Sequence, residues 1–433
     1  MMERRDFLLA SAAGLLSDSL SGQDASRAMP PPRRVPARHK IAVVTTAYFY
    51  LSHAYHICGR FIHGYLRQGS YHYPDFELAG LYVEQKKAND LSQRIARDHQ
   101  IRLAATVQDA LTLGTGKLAV DGVLLIGEHG DYPYNAKGQK LYPRWELFQK
   151  IVEVFKDSGR SVPVFNDKHL SYDHKKGREM VQLSRTMGFP MLAGSSLPVT
   201  WRRPELEIPL GSTIREALVV SRGELEIMGI HAIEALQCMV ERRNPGQQGV
   251  ASIECLEGDA VWKAGAAGRW SYELLDHALG RSPSRNVGKA QENCQQFAIP
   301  ASWGVRARGP RAFLIEYRDG LKATVLQLDG HVADETFAAF IGKKKKPVST
   351  LFWLPPPPGA AFLEALARHI ESFLETGTQP YPVERTLLTG GILDYALESR
   401  LRQRTVLTPD LDISYQAPKD SGFMKGDYVI PAG

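Results

Sequence analysis

Lys40-Ile41-Ala42-Val43-Val44-Thr45-Thr46 is the stretch that decides the fold: a short, β-branched apolar run reads as a strand buried on both faces of a parallel sheet. Working outward, runs of the same kind recur at 77–83, 122–126, 162–165 and 191–194, with a shorter one at 104–106. The segments between them carry helical spacing, at 52–68, 88–99, 107–113, 144–157 and 174–187, and Ser52 is placed to cap the first. Parallel neighbours need a crossover, and alternating helices supply it. Residues 40–194 are therefore expected to form a doubly wound parallel sheet.

The pattern changes after Pro198. A strand at 217–221 and a helix at 229–241 precede alternating runs at 251–256, 312–317 and 321–328, with Asp319-Gly320 as the hairpin turn between the last two. This predicts a C-terminal α/β domain with an open, mostly antiparallel sheet. Pro355 to Pro358 then form a rigid crossover into helices at 361–376 and 384–402, and the Asp/Pro/Gly-rich tail from Thr405 is expected to lie extended on the surface.

Glu3-Arg4-Arg5-Asp6-Phe7-Leu8-Leu9 and the apolar run that follows look like a twin-arginine export signal, with a small-residue cleavage site near Ala28. The apolar run ends at Leu16, short of the roughly 20 residues that span a bilayer. The expected layout is a signal at 1–28, a proline-rich linker at 29–38, a first domain at 39–197, a second at 198–404 and a tail at 405–433, giving a soluble periplasmic product. The partners this implies are the export machinery at the membrane and a small molecule. A net charge of +6 over 433 residues is a weak field and does not imply nucleic-acid binding. Cys58, Cys238, Cys255 and Cys294 permit up to two disulfides or four buried thiols, and no CxxC pair suggests a zinc knuckle.

Three segments carry a resemblance. Asp167-Lys168-His169 follows a strand, Gly229-Ile230-His231-Ala232-Ile233-Glu234 opens a helix, and residues 370–377 and 387–400 form a closing helix pair. In order and layout the chain resembles the Gfo/Idh/MocA family of glucose-fructose oxidoreductases and inositol dehydrogenases over roughly 40–400. The first segment is similar to that family's Glu-Lys-Pro element and the second to its Gly-x-His-x-x-Asp helix start. The resemblance implies a Rossmann-type nucleotide-binding domain, NAD or NADP as cofactor, and a carbohydrate or polyol substrate. It also implies a homo-oligomer built through the C-terminal sheet. Lys168 and His231 would be the catalytic residues, since hydride transfer from a hydroxyl needs one group to take its proton and another to position the oxygen. On this reading Lys168→Ala abolishes turnover and leaves the fold intact.

Candidate cofactor-binding residues are Thr45, Thr46 and Ala47 in the first turn, Glu84 for a ribose, Gly127 and Glu128 after the strongest strand, and Lys168. Candidate substrate-binding residues are His53, His129, Asp131, Tyr132, Trp201 and Arg202, polar or aromatic groups near the C-terminal ends of buried strands. His53, His56 and His63 recur along one helix but no dense ligand motif accompanies them, so no metal is assigned. The first turn contains no glycine, and Ile227 stands where the family has an aspartate. Those departures favour an alternative, a cofactor-free or metal-using lyase or hydrolase on the same scaffold; a further alternative is a sugar-binding protein without chemistry.

Overall fold

The computed structural model describes residues 37–67, 70–243, 246–297 and 309–426, so the export signal and most of the linker lie outside the described residues. Strand β1, His39–Thr45, is central in a six-stranded parallel sheet. Helix α1, His53–His63, follows it, and a small hairpin of β2, Tyr65–Arg67, and β3, Ser70–His72, leads to β4, Phe76–Val83. The sheet continues through β5, Arg102–Ala104; β6, Gly122–Ile126; β7, Val164–Asp167; and β8, Met191–Gly194. Its spatial order is β5-β4-β1-β6-β7-β8, which places the switch of winding direction between β1 and β6.

Side-chain alternation explains why these runs had to be apolar throughout. Ile41, Val43, Leu124 and Ile126 enter one core cluster, while Ala42, Val44, Val123 and Leu125 enter the cluster on the opposite face. Helix α1 was expected to run to 68 and stops at His63, because Gly64 takes φ +76 and turns the chain into the hairpin.

The second sheet has eight strands in the order β17-β12-β13-β14-β10-β15-β16-β9. These are β9, Trp201–Arg203; β10, Ile214–Ser221; β12, Val250–Glu257; β13, Arg311–Tyr317; β14, Lys322–Gln327; β15, Glu335–Ile341; β16, Val348–Trp353; and β17, Val406–Leu407. A further short pair joins β11, Gly246–Gln247, to β18, Ser414–Tyr415. Within the eight-stranded sheet only β10 and β14 run parallel. One face packs on the helix Gly229–Val240 and the closing helix Val383–Arg402. The other face is covered by the helices Asp259–Ala266, Tyr272–Leu279 and Ala290–Gln296, through Trp262, Trp270, Leu274 and Leu275. The face expected to be free for an oligomer contact is thus covered by the chain itself.

The helix Phe362–Thr376 returns to the first sheet, where Leu366, Ile370, Phe373 and Leu374 pack beside β1 and α1. Leu374 sits over Gly122, where a Cβ would come within 2.6 Å of it. Each such buried leucine contributes about 1.5–3 kcal/mol, so this helix ties the two sheets into one compact unit, Ala37–Gly433. The tail departs from the surface path expected for it: Leu411 and Tyr415 are buried, and the Tyr415 hydroxyl donates to Glu241 Oε2 at 2.7 Å. Apolar residues spaced among Asp and Pro were the missed signal. The four cysteines are all free and buried, none near enough to another to be bonded. No helix among the described residues is long and apolar enough to cross a membrane.

Candidate active site

A cavity of about 200 Å³ opens where the C-terminal ends of β7 and β8 meet the start of the helix Gly229–Val240. His53, Asp167, Ser195 and His231 form its polar wall, and Leu197, Met228, Leu354 and Phe362 its apolar wall. Eleven of the twelve residues of that helix are buried, and His231 is the exception. Its side chain is 15% exposed and lines the cavity.

The groups behind His231 define what its ring can do. His231 Nδ1 lies 3.0 Å from Ser195 Oγ and 3.5 Å from Glu234 Oε2, and the Ser195 hydroxyl donates to the same Glu234 oxygen at 2.5 Å. With Ser195 spending its proton on Glu234, its oxygen accepts from His231 Nδ1–H, which leaves Nε2 as the basic nitrogen. Burial first, and the Lys168 ammonium second, push His231 below its ordinary pKa against the pull of Glu234. The ring is therefore neutral and ready to accept a proton. Gly194 makes the arrangement possible: it takes φ +142, and a Cβ there would lie 2.5 Å from Tyr381 Oη and 3.4 Å from Glu234 Oε1.

Lys168 sits deeper. It is 3% exposed, its Nζ donates to Glu128 Oε1 at 2.8 Å, and the carbonyl of Ile227 lies at 3.5 Å. Arg144, fully buried, donates to the other Glu128 oxygen at 2.6 Å. Burial alone would push the Glu128 carboxyl up, but Lys168 and Arg144 hold it well below the usual carboxylate range. Gly127, expected to serve a cofactor, has a packing reason instead: a Cβ there would lie 2.5 Å from Arg144 Cγ. Lys168 and His129 both occupy the left-handed region, at φ +61 and +71, a strained state for non-glycine residues that is typical of functional sites. Lys168 thus reaches His231 through its charge and does not line the cavity.

His53 Nδ1 lies 2.6 Å from Asp167 Oδ2, so Asp167, predicted only as part of the lysine segment, orients His53 at the cavity. His129 packs edge to face on His53. The three helix histidines do not converge, since His56 is beside Arg60 and His63 against His99. Among the described residues no cluster of three or more His, Cys, Asp or Glu could hold a metal ion. Glu226, next to Ile227, is buried and takes the Lys140 amide at 3.1 Å; burial lifts its carboxyl to about 7.

Thr45, Thr46 and Ala47 lie at the C-terminal end of β1, and Thr46 Oγ1 donates to the Glu128 carbonyl at 2.7 Å. Tyr48 is buried in the core, and Phe49 meets His129 edge to face, 5.1 Å between ring centroids. The loops after β1 and β6 thereby touch across the switch point. Asp131 and Tyr132 do not reach the cavity. The Tyr132 hydroxyl donates to Glu84, while Asp131 pairs with Lys87 at 2.5 Å and exchanges two hydrogen bonds with Gln85. Trp201 and Arg202 are also elsewhere: Trp201 meets Trp353 edge to face, and Arg202 is wholly buried between Phe352 and Phe423. Their position in an edge strand, not a loop, makes them packing residues. Sequence reading gave no role to Ser195 or Arg144 and named Glu234 only as the end of the helix-start segment; Ser195 meets Glu234 from a separate element, as Arg144 meets Glu128.

The buried histidines set an acid limit. His56 and His129 are lowered to about 4, by burial first, and His169, His174 and His369 are lowered as well. An unfolded chain takes protons on these groups as pH falls below about 6.5 and the folded chain does not, so stability present above 6.5 is lost down to about 4. Glu226 and Glu335, raised to about 7, work the other way between 7 and 4.5, but they are fewer. The melting temperature is expected to be several degrees lower at pH 5 than at pH 7. An equal or higher value at pH 5 in a calorimetric scan would show that these histidines are not held neutral.

No family model matches the sequence, and no curated protein matches it either. Solved structures do. GenD2 from gentamicin A biosynthesis, in complex with NAD, aligns at TM-score 0.54 and 11% identity over 88% of this chain and 99% of its own. A probable dehydrogenase from Thermotoga maritima aligns at 0.52 and 10% identity, over 86% and 99%. The myo-inositol dehydrogenase from Lactobacillus casei, in complex with NAD(H) and myo-inositol, aligns at 0.51 and 12% identity, over 86% and 97%. With the parallel six-stranded sheet, the eight-stranded sheet beside it and the site between them, the chain has the fold of the Gfo/Idh/MocA-type dehydrogenases.

Proposed function

We propose that this protein is an exported oxidoreductase that uses NAD or NADP to oxidise a hydroxyl group of a small carbohydrate or polyol. The observation that carries this reading is His231, the one cavity-facing residue of a buried helix, with Nδ1 committed to Ser195 and Nε2 free to take a hydroxyl proton. The cavity is smaller than the roughly 300–1,000 Å³ of drug-sized sites, which suits a small substrate. Support also comes from the NAD named with GenD2 and the NAD(H) and myo-inositol named with the Lactobacillus casei enzyme.

The residues that would hold the nucleotide are Ala47 through its backbone N–H and Glu84 through its carboxylate, just beyond the ends of β1 and β4, since the N–H and C=O of Thr46 are already spent on Ile126 and Gln85. They fit it on one condition, that Tyr132 releases Glu84 and Phe49 parts from His129. Contacts of this kind are each worth about 0.5–1.5 kcal/mol. The chemistry supplied by the bound nucleotide is hydride acceptance. The chain does the rest: His231 takes the proton, Ser195 and Glu234 hold the imidazole, Asp167 orients His53 against the substrate, and the apolar wall excludes water. Reduction of added NAD⁺ or NADP⁺ on addition of a polyol tests the reading, and no reduction with any of a broad polyol panel would remove it.

A second reading is cofactor-independent acid–base chemistry in the same cavity. The closed Phe49–His129 contact favours it. Export by the twin-arginine route is part of the proposal, motivated by Arg4-Arg5. Changing both to lysine is expected to keep the protein in the cytoplasm, and an undiminished periplasmic fraction would contradict it.

A further inference from the structure

The cavity wall opposite the parallel sheet comes from the eight-stranded one, through Glu335 and Arg222. Glu335 opens β15, and strand alternation puts it on the same face as Phe337 and Ala339, which pack in the core around the His231 helix. A carboxylate at a position patterned for an apolar residue is costly unless something meets it. Glu335 is 1% exposed, and its Oε1 has no hydrogen-bond partner among the described residues. Across the same cavity Asp167, also 1% exposed, leaves Oδ1 without a partner while Oδ2 holds His53. Buried polar atoms in folded proteins are almost always satisfied, by water or ligand if not by protein. Both residues line one small cavity, and two such acceptors call for an occupant with at least two donors.

We propose that Glu335 reads a second hydroxyl group of the substrate, opposite the one that faces His231, so that the site takes a diol or polyol and rejects a monohydric alcohol. This rests on the reading that the cavity is the substrate site. Leu197, Met228, Leu354 and Phe362 give the carbon skeleton an apolar wall. Burial lifts the Glu335 carboxyl to about 7, with Arg222 and the neighbouring Ser221 hydroxyl opposing and Asp334 adding, so near neutrality it can either donate to or accept from a hydroxyl. Asp167, His53 and His231 are the other titratable groups around the cavity.

The test measures binding by calorimetry for a panel of myo-inositol, glucose, glycerol and cyclohexanol, on the full-length protein and on Glu335→Leu and Glu335→Gln. The wild type is expected to bind at least one polyol and not cyclohexanol. Glu335→Leu should weaken polyol binding about 10- to 100-fold, while its melting temperature stays level or rises because an unpaired buried carboxylate is gone. Glu335→Gln, which keeps a donor and an acceptor, should retain most of the affinity. Polyol binding unchanged in Glu335→Leu overturns the proposal and leaves the cavity reading standing. Should Glu335→Leu fail to fold, Glu335→Gln bearing no more affinity than a non-binding protein also overturns it. A wild type that binds no polyol overturns both.

Discussion

Replacing His231 with asparagine is expected to lower kcat by about 10²–10⁴-fold, the usual loss when a positioned general base is removed. Asparagine can still donate to Ser195, so the Ser195–Glu234 pair and the helix Gly229–Val240 should keep their geometry. Substrate binding should change little, which separates a base from a packing residue. A kcat within threefold of wild type would mean that Nε2 takes no proton in the rate-limiting step. The charge of Lys168 enters here as well, because it helps hold His231 below its ordinary pKa. In Lys168→Met the acidic limb of the kcat/KM profile should therefore move to higher pH.

The second large effect is on folding. Glu128→Gln removes the one carboxylate shared by Lys168 and Arg144, leaving two buried cations without a counter-charge. Breaking a buried pair costs about 3–5 kcal/mol, a large part of the roughly 5–15 kcal/mol that keeps a typical protein folded. Urea unfolding should show the loss as a lower midpoint, and a shift worth less than about 1 kcal/mol would contradict the tight network drawn for this cluster. The same burial corrects the expectation that Lys168→Ala leaves the fold intact. A side chain 3% exposed and bonded to Glu128 is a structural member first.

Much of the first sheet could be read directly from the chain. Strands β6 and β8 and the helix His174–Met187 begin and end where periodicity put them, because a strand covered on both faces must be apolar at every position and Gly188 stops the helix. The helices Asp259–Ala266, Tyr272–Leu279 and Ala290–Gln296 were not legible. They are short, and their apolar residues make sense only against the outer face of a sheet assembled from distant strands. The site divides in the same way. His231 and His53 were visible as single residues near strand or helix ends, whereas Ser195 and Glu335 are ordinary polar residues until separate elements bring them to one cavity, with Glu234 behind Ser195. Trp201 and Arg202 misled because an aromatic–cation pair looks the same in a core as at a surface.

The central claim is that the crevice beside β1 holds a nicotinamide nucleotide although Phe49 and His129 meet across it. The most direct test is to express the protein with its signal, purify it, denature it and search the released small molecules by mass spectrometry. NAD or NADP should be released at close to one per chain, or, if none is carried through purification, added nucleotide should bind saturably and Phe49→Ala should strengthen that binding. Neither released nucleotide nor uptake by wild type or Phe49→Ala would contradict the claim.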